Sequence, residues 1–300
     1  MMNELLINFF KKLMYTLIGA LKIVRSTRFN AKKLIPKAEQ ESCYILGNGP
    51  SLTVDMNGIL NSSTENFIAV NNFGLSELYQ KVKPKYYVIT DPFYYYNVLF
   101  NEKEQKNMKD LLFALKEKTS WPLIFFAPIE AKKIFVKLFE ENKHIKVIVY
   151  NKINTWKGFK WFDRWVYNNQ WAIISGQNVI VPAISLAINI GFKKIYLLGV
   201  DHSWHKNIIV GDDNFIYLYE PHFYDENVLP IPIYIEENKK IRYLKLHEQF
   251  EALKKTFEAY HYIQDYAKYK NVKIINCTLN SYIDAFERIK PNSGLFLNKP

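Results

Sequence analysis

Short apolar runs that alternate with helical patterns are the feature of this sequence that most restricts its fold. The runs are four to six residues long and cover 43–46, 67–70, 85–90, 123–127, 146–150, 194–198 and 272–276. Several are apolar throughout, which is typical of strands that are buried on both faces of a sheet. Helical patterns lie over about 102–118, 129–141, 179–190 and 241–269. This alternation predicts an α/β fold with a mostly parallel sheet and helices on both faces.

The first apolar run leads directly into a glycine-containing motif, Gly47-Asn48-Gly49-Pro50-Ser51. Glycine permits positive φ and lets another group approach the backbone closely. Pro50 suits the first turn of a helix, and Ser51 places a hydroxyl beside that turn. A strand that runs through glycine into a helix start presents amides that can bind an anion. An ordinary tight strand-to-helix turn would use the same residues, so the motif alone does not decide between them.

Polar residues also stand where other apolar runs end. In a parallel sheet, ligands bind outside the carboxyl ends of the strands, so residues that follow several strands are expected to meet in one site. The additional residues predicted for this site are Asn71, Asn72, Asp91, Ser175, Gly176, Gln177, Asp201 and His202.

The chemistry of this site is narrowed by what the motif lacks. No Gly-Lys-Ser/Thr follows Gly49, so the motif is not a Walker A loop, and it lacks the third glycine of the dinucleotide fingerprint. His202 and His205 lie three residues apart beside Asp201, but loop histidines next to an aspartate are more often hydrogen-bonded than metal-bound. We therefore predict phosphate recognition by backbone amides and polar side chains, with a histidine for proton transfer and no bound metal.

The positive charge of the chain is concentrated at its N-terminus. Residues 1–38 contain eight Lys or Arg and one acid, which gives +7 of the total of +11. A nucleic-acid-binding protein would carry its charge across the domain surface, so we expect no nucleic-acid partner. Apolar residues recur at helical spacing over 5–24, interrupted by lysines. This pattern predicts an amphipathic helix on an anionic membrane surface; a helix packed on its own domain and a contact between copies in a homo-oligomer are the alternatives.

The uncharged stretch near the N-terminus and the number of cysteines indicate the cellular compartment. The longest uncharged stretch, Leu13–Leu21, is too short to span a bilayer, and no secretory cleavage site follows it. Two cysteines provide no disulfide framework, which fits a reducing cytoplasm. We expect a cytoplasmic protein that is peripherally associated with the inner membrane. Its predicted parts are a membrane segment over 1–38, a binding domain over 39–290 with a lid-like insert at 203–240, and a tail over 291–300.

The motifs, taken in order, resemble a known group of enzymes. Gly47 to Ser51, Asn71-Asn72, Ser175-Gly176 and Ile195 to Asp201 are similar to motifs of bacterial lipooligosaccharide sialyltransferases. A looser group, named after archaeal 6-hydroxymethylpterin diphosphokinase and also found in bacterial surface-polysaccharide loci, shows further similarity. That similarity is carried by 83–92, 199–202, 221–223, 274–278 and 286–288.

The resemblance implies a Rossmann-like, GT-A-like fold and a metal-independent transferase whose donor is CMP-activated sialic acid. By position, Gly47, Asn48, Gly49 and Ser51 would hold phosphate and ribose, Asn71 and Asn72 the donor, and Ser175 and Gly176 the nucleotide. The catalytic base of these enzymes lies just before a late helix, which implies His247, with His222 as the rival. His202 or an insert tyrosine (Tyr217, Tyr219 or Tyr224) would replace the tyrosine that assists the departing phosphate.

One departure affects the identity of the donor. The sialyltransferases have asparagine where Asp91 stands, and an aspartate would repel the carboxylate of an acidic sugar. We therefore expect a glycosyltransferase that moves sialic acid, or a related CMP-activated sugar, to a lipid-linked, lipopolysaccharide or capsule glycan, without a cofactor. The alternatives are diphosphate transfer to a pterin, with Asp91 and Asp201 as metal ligands, and a non-catalytic glycan-binding protein.

Overall fold

Eight of the strands in the described part of the chain build one parallel sheet. The computed structural model describes residues 2–56, 66–96, 102–155, 157–219, 229–237 and 240–290. In chain order the strands are β1 (Ser42–Leu46), β2 (Phe67–Val70), β3 (Tyr86–Val88), β4 (Leu123–Pro128), β5 (Ile145–Tyr150), β6 (Lys194–Leu198), β7 (Ile208–Val210), β8 (Ile216–Leu218), β9 (Ile231–Pro232), β10 (Tyr234–Glu237), β11 (Lys240–Tyr243), β12 (Lys273–Asn276) and β13 (Glu287–Arg288).

Helices cover both faces of the sheet, as the alternating pattern predicts. Along β1, Cys43 and Ile45 pack with side chains of the helices at 160–168, 180–190 and 246–269, whereas Tyr44 and Leu46 pack on the opposite face with side chains of the helices at 52–55, 78–82, 102–118 and 132–138. Successive side chains of a strand point to opposite faces, so an entirely apolar strand serves both cores. The helices are α1 (Met2–Ser26), α2 (Leu52–Asp55), α3 (Leu78–Val82), α4 (Glu102–Lys118), α5 (Lys132–Leu138), α6 (Lys160–Asn168), α7 (Ile180–Ile190) and α8 (Leu246–Tyr269).

The order of the strands locates the point where a ligand is expected. It is β13-β12-β6-β1-β2-β3-β4-β5, and each pairing in it is parallel. The chain runs outward from β1 to β5 and then returns to place β6 on the other side of β1. The crevice outside the carboxyl ends of β1 and β6 is therefore the topological switch point. The predicted α/β fold class is confirmed.

The predicted N-terminal helix is present as α1 and is longer than the apolar pattern that suggested it. Thr16, Gly19 and Ile23 form its buried side. Among the residues that the structure describes, no helix combines the length and the apolar character needed to cross a membrane.

Two segments differ from their predictions. The segment 151–172, predicted to be irregular, contains α6, whose side chains Phe162 and Val166 are buried four residues apart on one face. The long helix predicted from 241 begins instead at Leu246, because β11 pairs with β10 in a hairpin up to Tyr243. Local pairing of short β-prone segments decides that boundary, which helical periodicity alone cannot show.

The predicted insert at 203–240 is more regular than its loop-rich composition suggests. Within its described residues, β7, β8 and β9 form a small antiparallel sheet, followed by the β10–β11 hairpin. His222, Tyr224 and the tail at 291–300 lie outside the described residues. The division into a membrane segment, a binding domain and a lid stays a prediction.

Candidate functional site

A cavity of about 810 Å³ opens at the carboxyl ends of β1, β2, β3 and β6. The first turn of α7 and one side of α8 also contribute to its wall. The cavity wall brings together residues that are up to 209 positions apart in the sequence, from Gly47 to Thr256. The predicted site residues that line it are Gly47, Asn48, Gly49, Pro50, Asn71, Asn72, Asp91, Gly176, Gln177, Asp201 and His202.

The two glycines of the first motif allow the β1 and β6 loops to touch. The Gly47 N–H donates to the Leu198 carbonyl at 2.8 Å, and the Gly49 N–H donates to the Gly199 carbonyl at 2.9 Å. A Cβ added to Gly47 would lie 2.2 Å from the Gly199 oxygen, and one added to Gly49 would lie 1.9 Å from Asp201 Oδ2. Neither has a positive φ. The close approach expected at these glycines is thus made by the protein's own β6 loop.

Ser51 connects two buried carboxyl groups beneath the cavity. Its Oγ lies 2.8 Å from Asp55 Oδ2 and 2.9 Å from Asp201 Oδ2. Asp55 is fully buried and accepts the N–H groups of Gly199 at 2.8 Å and Leu279 at 3.0 Å. Asp55 thereby ties α2 to the loops after β6 and β12. The sequence does not single out Asp55, because it is one of 29 Asp and Glu residues in the chain and belongs to no motif.

These carboxyl groups hold a proton more tightly than exposed ones do. A hydroxyl has a single proton, so Ser51 can donate to only one of the two carboxylates. Burial raises the pKa of Asp201 to about 6, and burial also raises the pKa of Asp55, opposed there by its two backbone hydrogen bonds. A protonated Asp201 can donate to the Ser51 oxygen while Ser51 donates to Asp55, which satisfies all three groups.

Asparagine amides give the cavity unused hydrogen-bonding capacity. Asn48 Nδ2 donates to the Val70 carbonyl at 3.1 Å, and Asn178 Oδ1 accepts the Val181 N–H at 3.1 Å. The other amide atoms, Asn48 Oδ1 and Asn178 Nδ2, are buried without a hydrogen-bond partner, as is Asn71 Oδ1. Buried polar atoms in proteins are almost always paired. A polar ligand in contact with these amide atoms would supply the missing hydrogen-bond partners.

Lys152, which follows β5, brings a cation into the cavity wall. It is the one lysine or arginine among the described residues that line the cavity. Its Nζ donates to the Thr90 carbonyl at 2.7 Å. Burial lowers the pKa of this ammonium group, and the nearby Asp91 and Glu130 carboxylates oppose that effect. Asp91 itself is exposed and accepts the Phe93 N–H at 2.9 Å. Lys152 could not be singled out from the sequence, because it is one of 40 lysine and arginine residues and belongs to no motif.

His202 lies in the wall as a buried, neutral side chain. Its Nδ1 is 3.1 Å from the Tyr260 hydroxyl, and its ring centroid is 4.2 Å from that of Trp204. Burial lowers the pKa of His202 to about 3, so the imidazole is uncharged near neutral pH. Its backbone is left-handed, with φ of 52°. The imidazole can accept or donate a hydrogen bond, but it does not supply a positive charge.

Several predicted site residues lie away from the cavity wall. His247 is exposed in the first turn of α8, whereas Gln249, Leu253 and Thr256 form the side of that helix that lines the cavity. At 100° per residue, His247 lies on the opposite side of the helix from them. Ser175 is outside the wall and its carbonyl accepts Asn154 Nδ2 at 2.7 Å. His222 lies outside the described residues.

The arrangement of acidic, histidine and cysteine side chains bears on metal binding. Within the described ranges, no group of three or more His, Cys, Asp or Glu side chains is placed to hold a metal ion. Asp201 shares its Oδ2 with Ser51, so Asp91 is the more accessible carboxylate for a cation that arrives with a phosphate ligand.

The fold and the cavity define a parallel α/β protein with a cavity at its topological switch point. A family model described as 6-hydroxymethylpterin diphosphokinase MptE-like matches residues 16–207, which is 192 of the 300 residues. The chain belongs to this family. No curated protein sequence matches it. The predicted resemblance is confirmed for the diphosphokinase-like group, whereas the similarity to sialyltransferases stays a prediction.

A methyl group at position 49 should test the contact between the β1 and β6 loops. We expect Gly49→Ala to lower the free energy of unfolding by about 1–3 kcal/mol, because the added Cβ would overlap Asp201 Oδ2 and the Gly199 carbonyl. Urea unfolding at pH 7 measures the change. The control Thr53→Ala, at an exposed position of α2, should stay within about 0.5 kcal/mol of the wild type. Equal effects of both substitutions would contradict the account.

The raised pKa of Asp201 predicts a specific pH dependence of stability. The folded chain holds this proton up to about pH 6, against an ordinary value of 3.8, so the stabilisation is complete below about pH 4 and is lost as the pH rises through 6. We expect Asp201→Asn to remove this loss, roughly 2–3 kcal/mol between pH 4 and 7. Urea titrations across that range measure it. The exposed control Asp212→Asn should keep the wild-type slope; the same slope in Asp201→Asn would refute the assignment.

Proposed function

We propose that this protein is a glycosyltransferase that takes a sugar from a nucleotide donor, with a CMP-linked acidic sugar as the leading candidate. The observation that carries the proposal is the switch-point cavity, whose wall combines asparagine amide atoms that lack partners with Lys152, the one lysine or arginine among its described residues. Amides can pair with the hydroxyl and base edges of a nucleotide sugar. One ammonium group provides for a phosphate or a sugar carboxylate.

Lys152 offsets the repulsion that Asp91 would exert on an acidic donor. The Asp91 carboxylate alone would repel an acidic sugar, but the Lys152 ammonium is near enough to Asp91 for the two charges to interact. Entry of an anionic donor would give Lys152 a partner in a partly buried place, where such an interaction is stronger than in water. The first turn of α7, which also contributes to the wall, adds the positive end of a helix dipole.

The structure leaves fewer candidates for the general base of the transfer reaction than the sequence analysis named. The acceptor hydroxyl must lose its proton to a base within hydrogen-bonding reach. His202 lies in the wall with its ring hydrogen-bonded to the Tyr260 hydroxyl, but burial lowers its pKa to about 3, which makes it a weak base. His222 stays a candidate, while the position of His247 on the far side of α8 argues against that residue. The proposed acceptor is a lipid-linked, lipopolysaccharide or capsule glycan.

Diphosphate transfer is the second candidate, and the family's description is the observation that favours it. That reaction uses Mg²⁺ bound mainly by the phosphates and by one or two carboxylates. The exposed Asp91 would serve as such a ligand. A glycan-binding protein without activity is the third possibility, and it would need neither reaction.

Thermal unfolding with a panel of nucleotides separates these functions. We expect CMP to raise the melting temperature without a divalent metal, because the cavity supplies its own cation. A shift that appears only with ATP and Mg²⁺ would instead support diphosphate transfer. No shift with any nucleotide, with or without Mg²⁺, would contradict both enzymatic functions and favour glycan binding alone.

A lysine substitution tests how the anion is held. We expect Lys152→Met to weaken binding of the most stabilising nucleotide by about 10- to 100-fold, since a hydrogen bond to a charged group contributes roughly 1.5–3 kcal/mol. Isothermal titration calorimetry gives the dissociation constants. Lys146→Met, an exposed lysine on β5, should leave affinity unchanged. Equal affinity of the Lys152 variant and the wild type would remove Lys152 from the proposed site.

A further inference from the structure

The outward side of α1 is an extended apolar surface. Leu21 and Val24 keep 71% and 76% of their area exposed, and the other large apolar side chains on that side are also exposed. Their spacing of three and four residues places them on one face of the helix. We call this set the outward face; it consists of Leu6, Phe10, Met14, Leu17, Leu21 and Val24. Monomeric proteins rarely leave so continuous an apolar strip in water.

The opposite side of α1 is fixed to the domain by close contacts. Thr16 Oγ1 accepts the Phe159 N–H at 2.9 Å, and a Cβ added to Gly19 would lie 3.2 Å from the Thr155 side chain. Ile23 is part of the main core. The side of α1 that contacts the domain is thus the one formed by Thr16, Gly19 and Ile23. The outward face remains exposed after the chain has folded, so packing against the same domain does not explain its apolar character.

Two exposed tryptophans lie on α6, the helix that the buried side of α1 contacts. Trp161 keeps 68% of its area exposed, and Trp165, also exposed, packs against Trp171 with ring centroids 4.6 Å apart. Phe162, between them in the sequence, lies 3.5 Å from the Cβ position of Gly19. The tryptophans thus stand on the helix that α1 contacts. Tryptophan side chains favour the boundary between lipid and water, where the ring is partly apolar and the indole N–H is hydrated.

Charge distinguishes a lipid partner from a second copy of the chain. Lys11, Lys22 and Arg25 flank the outward face, and Glu4 is the one acid within residues 1–38. Two such faces brought together would place like charges beside each other, whereas paired helices normally set acids against bases at these flanks. An anionic membrane surface supplies the opposite charge, and each basic residue close to it adds attraction.

We propose that the outward face of α1 and the tryptophans of α6 form one docking surface for an anionic lipid bilayer. The helix lies in the interface with its apolar side chains among the headgroups and upper acyl chains, and its lysines reach the phosphates. This proposal stands on α1 and α6 and does not depend on which reaction the cavity supports.

Docking would hold the cavity at a fixed position relative to the membrane. The residues just after α1 are joined to the segment that carries Lys152: the Arg28 N–H donates to Asn151 Oδ1 at 2.8 Å, and Asn151 Nδ2 donates to the Arg28 carbonyl at 3.1 Å. The backbone next to the cavity's lysine is thus tied to the base of the docking helix. A lipid-linked ligand would meet the cavity near the bilayer surface.

Vesicle flotation of the full chain tests the proposal. We expect wild-type protein to float with vesicles of phosphatidylcholine and phosphatidylglycerol, and at least tenfold less with phosphatidylcholine alone. Leu17→Glu combined with Leu21→Glu should reduce binding to anionic vesicles more than tenfold, and Trp161→Ala combined with Trp165→Ala should reduce it severalfold. Both leucines are exposed, so an unchanged melting temperature shows that the fold is intact.

The matched control is Phe113→Glu, an exposed aromatic residue on α4, which packs on the other face of the sheet. It should bind vesicles like the wild type. The proposal is overturned if wild-type protein does not float, if the leucine variant floats equally well, or if Phe113→Glu is equally impaired. It is also overturned if light scattering finds a dimer that the leucine variant dissociates while neither form binds vesicles, since the outward face would then join two copies.

Discussion

The contact between the loops after β1 and β6 is the constraint on which the site depends. Gly47 and Gly49 leave no room for a side chain against Gly199 and the Asp201 carboxylate. Since the sheet reverses its order at this point, the same contact closes the base of the crevice and sets where its polar groups emerge. Asp55 reinforces the junction from below by accepting backbone N–H groups from two loops. The glycine motif thus shapes the protein first, and presents a surface to a ligand second.

The buried carboxyl groups of Asp55 and Asp201 allow this junction to retain a proton at a higher pH than exposed carboxyl groups would. Two acids joined by one hydroxyl, out of water, retain a proton toward neutral pH. His202 is neutral near pH 7, whereas Asp201 is protonated only below about pH 6, so the charged groups among the described wall residues are then Lys152, Asp91 and a largely ionised Asp201. A cavity with few charges and many amides favours ligands that offer hydroxyl and amide edges besides one or two negative groups, which is the composition of a nucleotide sugar.

The strands, the helices on both faces and most of the wall could be predicted, because buried parallel strands are apolar throughout and their carboxyl ends converge. Three features could not. Lys152 is one of 40 lysine and arginine residues in the chain and belongs to no motif, so only the tertiary structure selects it. His247 fits a late helix start, but the face of α8 that meets the cavity is set by packing. The helix α6 was not predicted, because its many aromatic residues do not favour a helix strongly, although Phe162 and Val166 have helical spacing.

Hydrogen–deuterium exchange of the full chain tests whether the crevice between β1 and β6 binds a nucleotide. With the nucleotide that stabilises the protein most, we expect slower exchange in peptides that contain 47–51, 71–72, 176–180 and 199–202, and unchanged exchange in β4 and α5. These four segments are separate in sequence, and each contributes residues to the wall of the cavity. Slower exchange elsewhere, with these segments unaffected, would contradict nucleotide binding in this crevice.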